Sequence, residues 1–309
     1  MQHFCRRGVN LALIMIIRRS VPQRLLIISG KYSTAHDASS WNVAYRAYDE
    51  TFSDKFREYA NDALKLSKLP KNARVLDVGS GTGALSLLAA GSEFGLQVTA
   101  TDYSSEMIFR LRSRAAEELT DDVSLKSIVM DGQNLTFSHF SFDGVFSMFA
   151  LIFFPDRTRG MREMNRVLRP GGVAVIGSWD CARNVDWIHW SNKALLTVKP
   201  NLPRGPPSPA LSLSDRNIFR EEMLAAGFER VKIECSEKTF LLSNPEHFWI
   251  GMSVGFPALA ETLAAHFSPE ETLLVRDKFV ELCMENAAYH GHSPRVKGSC
   301  LLGLGFKSS

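Results

Sequence analysis

No acidic residue occurs before Asp37, although the same stretch carries Arg6, Arg7, Arg18, Arg19, Arg24 and Lys31. The rest of the chain holds 30 basic against 33 acidic residues, so the formal net charge of +3 belongs to the leader and the body is close to −3. A body of that balance lacks the broad basic surface that neutralises phosphates, which argues against nucleic acid as the partner. Cysteine is scarce and scattered: Cys5, Cys181, Cys235, Cys283 and Cys300 are odd in number and form no C-x-x-C pair. That excludes a disulfide framework and a zinc site of the usual spacing, and fits buried thiols in a reducing compartment; no metal ligation is expected. Long apolar runs are missing too. The longest near the start, residues 9–17, falls well short of the roughly 20 residues that span a bilayer, and no repeat or low-complexity tract interrupts the chain.

What is present begins with the leader. Residues 1–36 mix arginine with apolar and hydroxyl residues and no acid, the composition of a mitochondrial presequence, and Lys31-Tyr32-Ser33-Thr34 resembles a matrix-processing site. The rival reading of residues 9–17 as a secretory core is opposed by Arg18-Arg19 and by the want of a small-residue cleavage site. The expected location is the mitochondrion, with the cytoplasm as the alternative.

From 41 to 69 the spacing predicts a helix, with Tyr45, Tyr48, Phe52, Phe56 and Tyr59 along one face and Pro70 ending it. Strands and helices then alternate. Strands are expected at 73–78, 97–101, 123–130, 142–148 and 173–179, and helices at 83–90, from Ser104 or Ser105 to 118, and at 157–168, the last stopped by Pro170-Gly171-Gly172. This rhythm implies a doubly wound α/β fold with a mostly parallel sheet and right-handed crossovers. Residues 182–213, with Trp187, Trp190 and the turn-rich 200–207, read as a lid or insertion. A helix over 214–226 closed by Gly227, a strand over 228–239, helices over 245–286 broken at Pro257 and Pro269, and a last strand over 299–307 complete the reading. The domain boundaries expected are a leader at 1–36, a lid helix at 37–70, a cofactor-binding core at 71–180, and insertions with the last two strands at 181–309.

The chemistry concentrates in Val75-Leu76-Asp77-Val78-Gly79-Ser80-Gly81-Thr82-Gly83-Ala84. A strand, a glycine-rich turn and a helix N-terminus form the usual cradle of a nucleotide-like cofactor, and the glycines let backbone approach the ligand. The pattern also satisfies the relaxed dinucleotide fingerprint, so a nicotinamide oxidoreductase stays open on the glycines alone. Asp77 argues otherwise. A pyrophosphate has no use for a carboxylate there, whereas a cofactor carrying an ammonium and a sulfonium does. Asp102 ends the second strand and can accept both ribose hydroxyls. Asp131 ends the third and can accept an adenine amine, with Gly132 or Gln133 meeting the ring edge.

These segments, with A-T-D-Y-S-S-E-M (100–107), M-D-G-Q-N-L-T-F (130–137), F-D-G-V-F-S-M-F-A-L-I-F-F-P-D (142–156) and R-V-L-R-P-G-G (166–172), make residues 73–179 resemble a class I S-adenosylmethionine-dependent methyltransferase of the group that includes the ubiquinone/menaquinone C-methyltransferases. The resemblance implies a Rossmann-like, seven-stranded sheet with an N-terminal helical lid and helical insertions in the C-terminal half. It implies S-adenosylmethionine as cofactor and a small-molecule methyl acceptor. The cofactor-binding residues expected from it are Asp77, Gly79, Ser80, Gly81, Gly83, Asp102, Tyr103, Asp131, Gly132, Gln133 and Phe149. Many relatives carry histidine after the fourth strand; here the stretch is Leu151-Ile152-Phe153-Phe154-Pro155-Asp156 and reads as an apolar wall. Trp41, Tyr45, Tyr48, Phe149, Trp179, Trp187 and Trp190 are candidates for acceptor contact, with His189 and Tyr45 as candidate catalytic groups. A non-catalytic methyltransferase-fold assembly protein is the alternative function.

Overall fold

A computed structural model describes residues 38–121, 123–203, 208–290 and 294–309, without the side chains of 287–290. The leader at 1–36 and Cys5 lie outside the described residues.

Helix α1 (Ala38–Ser67) precedes β1 (Arg74–Val78), α2 (Ala84–Ala90), β2 (Gln97–Asp102), α3 (Ser105–Glu118), β3 (Leu125–Val129), β4 (Phe142–Met148), α4 (Arg157–Val167) and β5 (Leu168–Trp179). Then come α5 (Asp186–Val198), α6 (Arg216–Ala225), β6 (Glu229–Leu241), α7 (Pro245–Gly255), α8 (Pro257–His266), α9 (Pro269–His290) and β7 (Arg295–Phe306). The seven strands form one sheet in the order β3-β2-β1-β4-β5-β7-β6. The first five are parallel, and β7 runs antiparallel between β5 and β6. This is the class I methyltransferase architecture. The central strands are buried on both faces, as in Val75, Leu76, Val78, Val145 and Phe146, which is why they read as continuous apolar runs.

Helix starts follow their caps. The Ser104 side chain accepts from Met107 N at α3, Asp156 from Arg159 N at α4 and Asp215 from Asn217 N at α6. Gly227, in the left-handed region at φ 93°, follows α6 as expected.

Three expectations need correction. Helix α4 ends at Val167, and Pro170-Gly171-Gly172 does not stop a helix: it lies in a bulge of β5, whose pairing jumps from Phe142↔Leu168 to Gly144↔Val173. The last strand begins at Arg295, where Gly298 breaks the β-branched pattern but is needed because a Cβ there would meet the Trp187 ring at 2.2 Å. Of the expected lid or insertion at 182–213, the described residues do not line the cavity at the sheet ends. The segment's one α-helix among the described residues, α5, packs on α9 and β7, with Trp187 edge-on to Trp179 and Trp190 against Phe279.

Helix α1 crosses α7 at two glycines one turn apart. A Cβ on Gly251 would fall 1.8 Å from Thr51 Oγ1, and one on Gly255 3.0 Å from the Tyr48 backbone nitrogen. The bare backbone of α7 thus sets how deeply α1 seats. Among the described residues no single helix is long and apolar enough to cross a membrane. Of the four described cysteines, all free, Cys283 and Cys300 are buried, Cys181 is half-buried and Cys235 is exposed.

Candidate active site

A cavity of about 250 Å³ opens at the carboxyl ends of β1, β2 and β4, where ligands of open α/β sheets bind. Its polar wall consists of Gly79, Gly81, Asp102, Tyr103, Asp131, Gly132 and Gln133. Its other wall is apolar, formed by Trp41, Tyr48, Phe56, Met148, Phe149, Phe153, Phe154, Trp179 and Phe256 among others.

The glycine loop turns out of β1 with Gly79 at φ 70° and Gly81 at φ 54°. Its amides are anchored on β2: Gly79 N and Ser80 N both donate to Thr101 O, at 2.7 and 2.9 Å. A Cβ on Gly79 would lie 2.3 Å from that of Ala150, so only glycine lets the loop and the end of β4 meet. Asp102 clamps the loop from below. One of its oxygens accepts from Gly81 N at 2.9 Å and the other from Ser104 N at 2.9 Å. Burial pushes its carboxyl up to about 6, against the pull of those two amides.

Asp77 stands behind the loop and does not line the cavity. One oxygen accepts from Ser86 Oγ at 2.6 Å; the other is buried with no partner. Burial, opposed by the Ser86 hydroxyl and reinforced by the charge of Asp102, raises Asp77 to about 7. Ser80 and Gly83 also sit behind the wall: Ser80 Oγ is buried and unpartnered, and a Cβ on Gly83 would press on Leu87 and Leu111. Gly83 therefore serves the packing of α2 on α3. At the mouth, Asp131 accepts from Gln133 N at 2.8 Å, and Gln133 Oε1 accepts from Asp156 N.

The aromatic wall is assembled from distant parts of the chain. Phe149 adopts φ 58°, a strained setting for a bulky residue. Its ring lies flat on Trp179 with centroids 4.1 Å apart and at 5.0 Å from Phe56. Phe149 thus belongs to the aromatic cluster while still bordering the cavity. Phe56 and Tyr48 come from α1, Trp179 from the end of β5, and Phe256 from the break between α7 and α8. Helix α1 is tied down over the site by Asp49, which receives Arg110 Nε and Arg114 Nη1, and by Ser104 Oγ donating to Asn42 at 2.6 Å. The stretch after β4 divides: Leu151 and Ile152 enter the core, while Phe153, Phe154 and Pro155 face the cavity.

The structure does not bring the two candidate catalytic groups to the cavity. Tyr45 lies off the lining face of α1, where its hydroxyl accepts from Arg46 Nε. His189 sits on α5, which packs on α9 and β7 rather than over the sheet ends. Trp187 and Trp190 are core residues for the same reason. Sequence reasoning missed Phe256, Met148, Met107 and Met130. For Phe256 the signal was its place immediately before the helix-breaking Pro257.

The donor set fits a cationic nucleoside cofactor. A buried unpaired carboxylate oxygen, a second buried carboxylate and a cavity wall without lysine or arginine among the described residues match an ammonium and a ribose and disfavour a pyrophosphate. Among the described residues no group of three or more His, Cys, Asp or Glu could hold a metal ion.

Residues 76–176 match the family model described as a methyltransferase domain. Residues 76–176 therefore carry a methyltransferase domain, and the chain is similar to quinone C-methyltransferases. It is 28% identical over 187 residues to a ubiquinone/menaquinone biosynthesis C-methyltransferase of Geotalea daltonii, covering 57% of this chain and 79% of that one. It is 36% identical over 115 residues to a 2-methyl-6-phytyl-1,4-hydroquinone methyltransferase of Synechocystis, covering 37% of this chain and 35% of that one. In fold it is similar to phosphoethanolamine N-methyltransferase 2 of Haemonchus contortus, with a TM-score of 0.56, 21% identity, and coverage of 90% of this chain and 61% of that chain. The YcgJ protein of Bacillus subtilis aligns with a TM-score of 0.52 at 18% identity, over 82% and 99% of the two chains.

Proposed function

We propose that the protein methylates a small, hydrophobic or aromatic molecule by in-line transfer, and that it does so in the mitochondrion. The observation that carries the reading is the continuity of the cavity: the glycine loop and Asp102 form one wall, and the Phe56–Phe149–Trp179 cluster the next. The bound cofactor supplies an electrophilic methyl group on a sulfonium whose departing thioether is neutral. Asp102 would hold the ribose hydroxyls, and Asp131 with Gly132 and Gln133 the adenine, with Tyr103 packed beside it. The unpaired oxygen of Asp77, behind the loop, would meet the ammonium through water.

The chain's remaining task is alignment and exclusion of water. Holding two reactants at near-attack distance supplies roughly 7–11 kcal/mol of barrier reduction. The ties from Asp49 and Asn42 to α3 hold α1 across the cavity for that purpose. Among the described residues no histidine, lysine or arginine lines the cavity, which favours an acceptor that reacts without a strong base. An aromatic, uncharged inner wall favours an apolar ring over a sugar or a nucleic acid.

Extracts of cells with and without the chain, incubated with methyl-labelled S-adenosylmethionine, test the activity. The expected result is label in an apolar small molecule only where the chain is present; label confined to RNA or protein would overturn it. Residues 1–36 fused to a fluorescent reporter test the location, and a diffuse cytosolic signal would contradict it.

A further inference from the structure

Tyr48 is the residue whose chemistry the cofactor wall leaves unused. Its ring is held from several directions, with centroid distances of 6.1 Å to Trp41, 5.9 Å to Phe52, 5.8 Å to Phe56 and 6.5 Å to Phe256. The side chain therefore has one place to be. Its Cε1, the neighbour of the hydroxyl-bearing carbon, is 3.8 Å from where a side chain on Gly81 would begin. The hydroxyl thus lies at the seam between the glycine loop and the aromatic wall, where methyl donor and acceptor must meet. Among the described residues that hydroxyl has no hydrogen-bond partner. A polar group fixed in an aromatic setting and left unpaired is a hydrogen bond held open for a ligand.

The cofactor's own polar groups are matched elsewhere, by Asp102, Asp131 and the loop. Around the acceptor's space, Phe56, Met148, Phe149 and Phe256 offer no oxygen or nitrogen side-chain atom, and Trp179, stacked on Phe149, only its indole N–H. We infer that Tyr48 orients the methyl acceptor through a hydrogen bond between its hydroxyl and a hydroxyl or carbonyl oxygen that the acceptor carries beside the reacting atom. This rests on the reading that an aromatic acceptor fills the apolar end of the cavity. Burial and the charges of Asp102, Asp49 and Asp77 push the phenol far above its ordinary value, so it is a donor at every working pH and not a base. The site then distinguishes an oxygenated ring from a hydrocarbon of the same shape.

The test compares two probes, methylhydroquinone and its deoxygenated counterpart toluene, titrated into full-length protein saturated with S-adenosylhomocysteine. Wild type is expected to prefer methylhydroquinone by about 5–10-fold, the worth of one hydrogen bond. In Tyr48→Phe, which keeps the ring packing, that preference disappears, toluene binds as before, and S-adenosylhomocysteine affinity stays within about twofold. A preference that survives in Tyr48→Phe overturns the role of Tyr48. Equal binding of both probes by wild type overturns it also, while leaving the aromatic-acceptor reading intact. Binding of neither probe by wild type overturns both.

Discussion

Asp77 is raised to about 7 by burial and, beyond that, by the charge of Asp102, a second buried carboxylate at the end of the neighbouring strand. The parallel register of β1 and β2 brings them together, since Asp77 pairs with Ala100, two residues before Asp102. Two acids so placed bind protons more tightly folded than unfolded. Their stabilising effect is therefore greatest at low pH and declines as pH climbs through the interval from about 4 to about 7. Cofactor binding runs the other way, because a cation in the adjoining cavity favours their ionised forms. Affinity for S-adenosylmethionine should strengthen as pH rises from about 5.5 to about 7.5, with proton release on binding. Calorimetry in two buffers of different ionisation enthalpy measures both. Asp77→Asn should flatten the upper part of the profile; a pH-independent affinity in wild type would contradict the pairing.

The seat of α1 is set by Gly251. A methyl there collides with Thr51, so Gly251→Ala should lower stability by about 1–3 kcal/mol, the usual cost of overpacking. Thr51→Ala in the same chain should restore part of the loss, a coupling that chemical denaturation of the four chains of the cycle would measure. Additive effects would mean that the α1–α7 crossing is looser than the contact implies.

His189 and Tyr45 provide a control. Both lie away from the cavity lining, so His189→Ala and Tyr45→Phe should leave turnover within about twofold of wild type. A loss above about tenfold for His189→Ala, with unchanged thermal stability, would return a base to the site.

The fold was legible because its central strands are apolar runs ending in chemistry. Asp77, Asp102 and Asp131 each fall within two residues of a strand's end, and the spacing between them already placed all three on one edge of the sheet. The cavity wall at Gly79, Gly81, Asp102, Asp131 and Gln133 follows directly. What periodicity could not assign was which tryptophan faces the ligand. Trp179, Trp187 and Trp190 are alike in sequence, yet Trp179 ends a strand beside the cavity, whereas α5 carries the other two into the core. Phe256 was hidden for a different reason. It reaches the site because the chain breaks at Pro257 between α7 and α8, which the sequence does signal, and because Gly251 lets α7 close on α1, which has no local signature. The β5 bulge misled for a third reason: Pro-Gly-Gly is as good a bulge as it is a helix stop.

The cavity is expected to bind S-adenosylmethionine through Asp102, the acid that ends β2. Calorimetric titration of the full-length protein and its Asp102→Ala variant with S-adenosylmethionine, and with NADH as a control, tests it most directly. The account predicts one-to-one binding of S-adenosylmethionine by wild type, an affinity about 10–100-fold weaker in Asp102→Ala from the loss of charge-assisted hydrogen bonds, and no binding of NADH. Wild type that leaves S-adenosylmethionine unbound, or an Asp102→Ala variant that binds it as tightly as wild type, would contradict it.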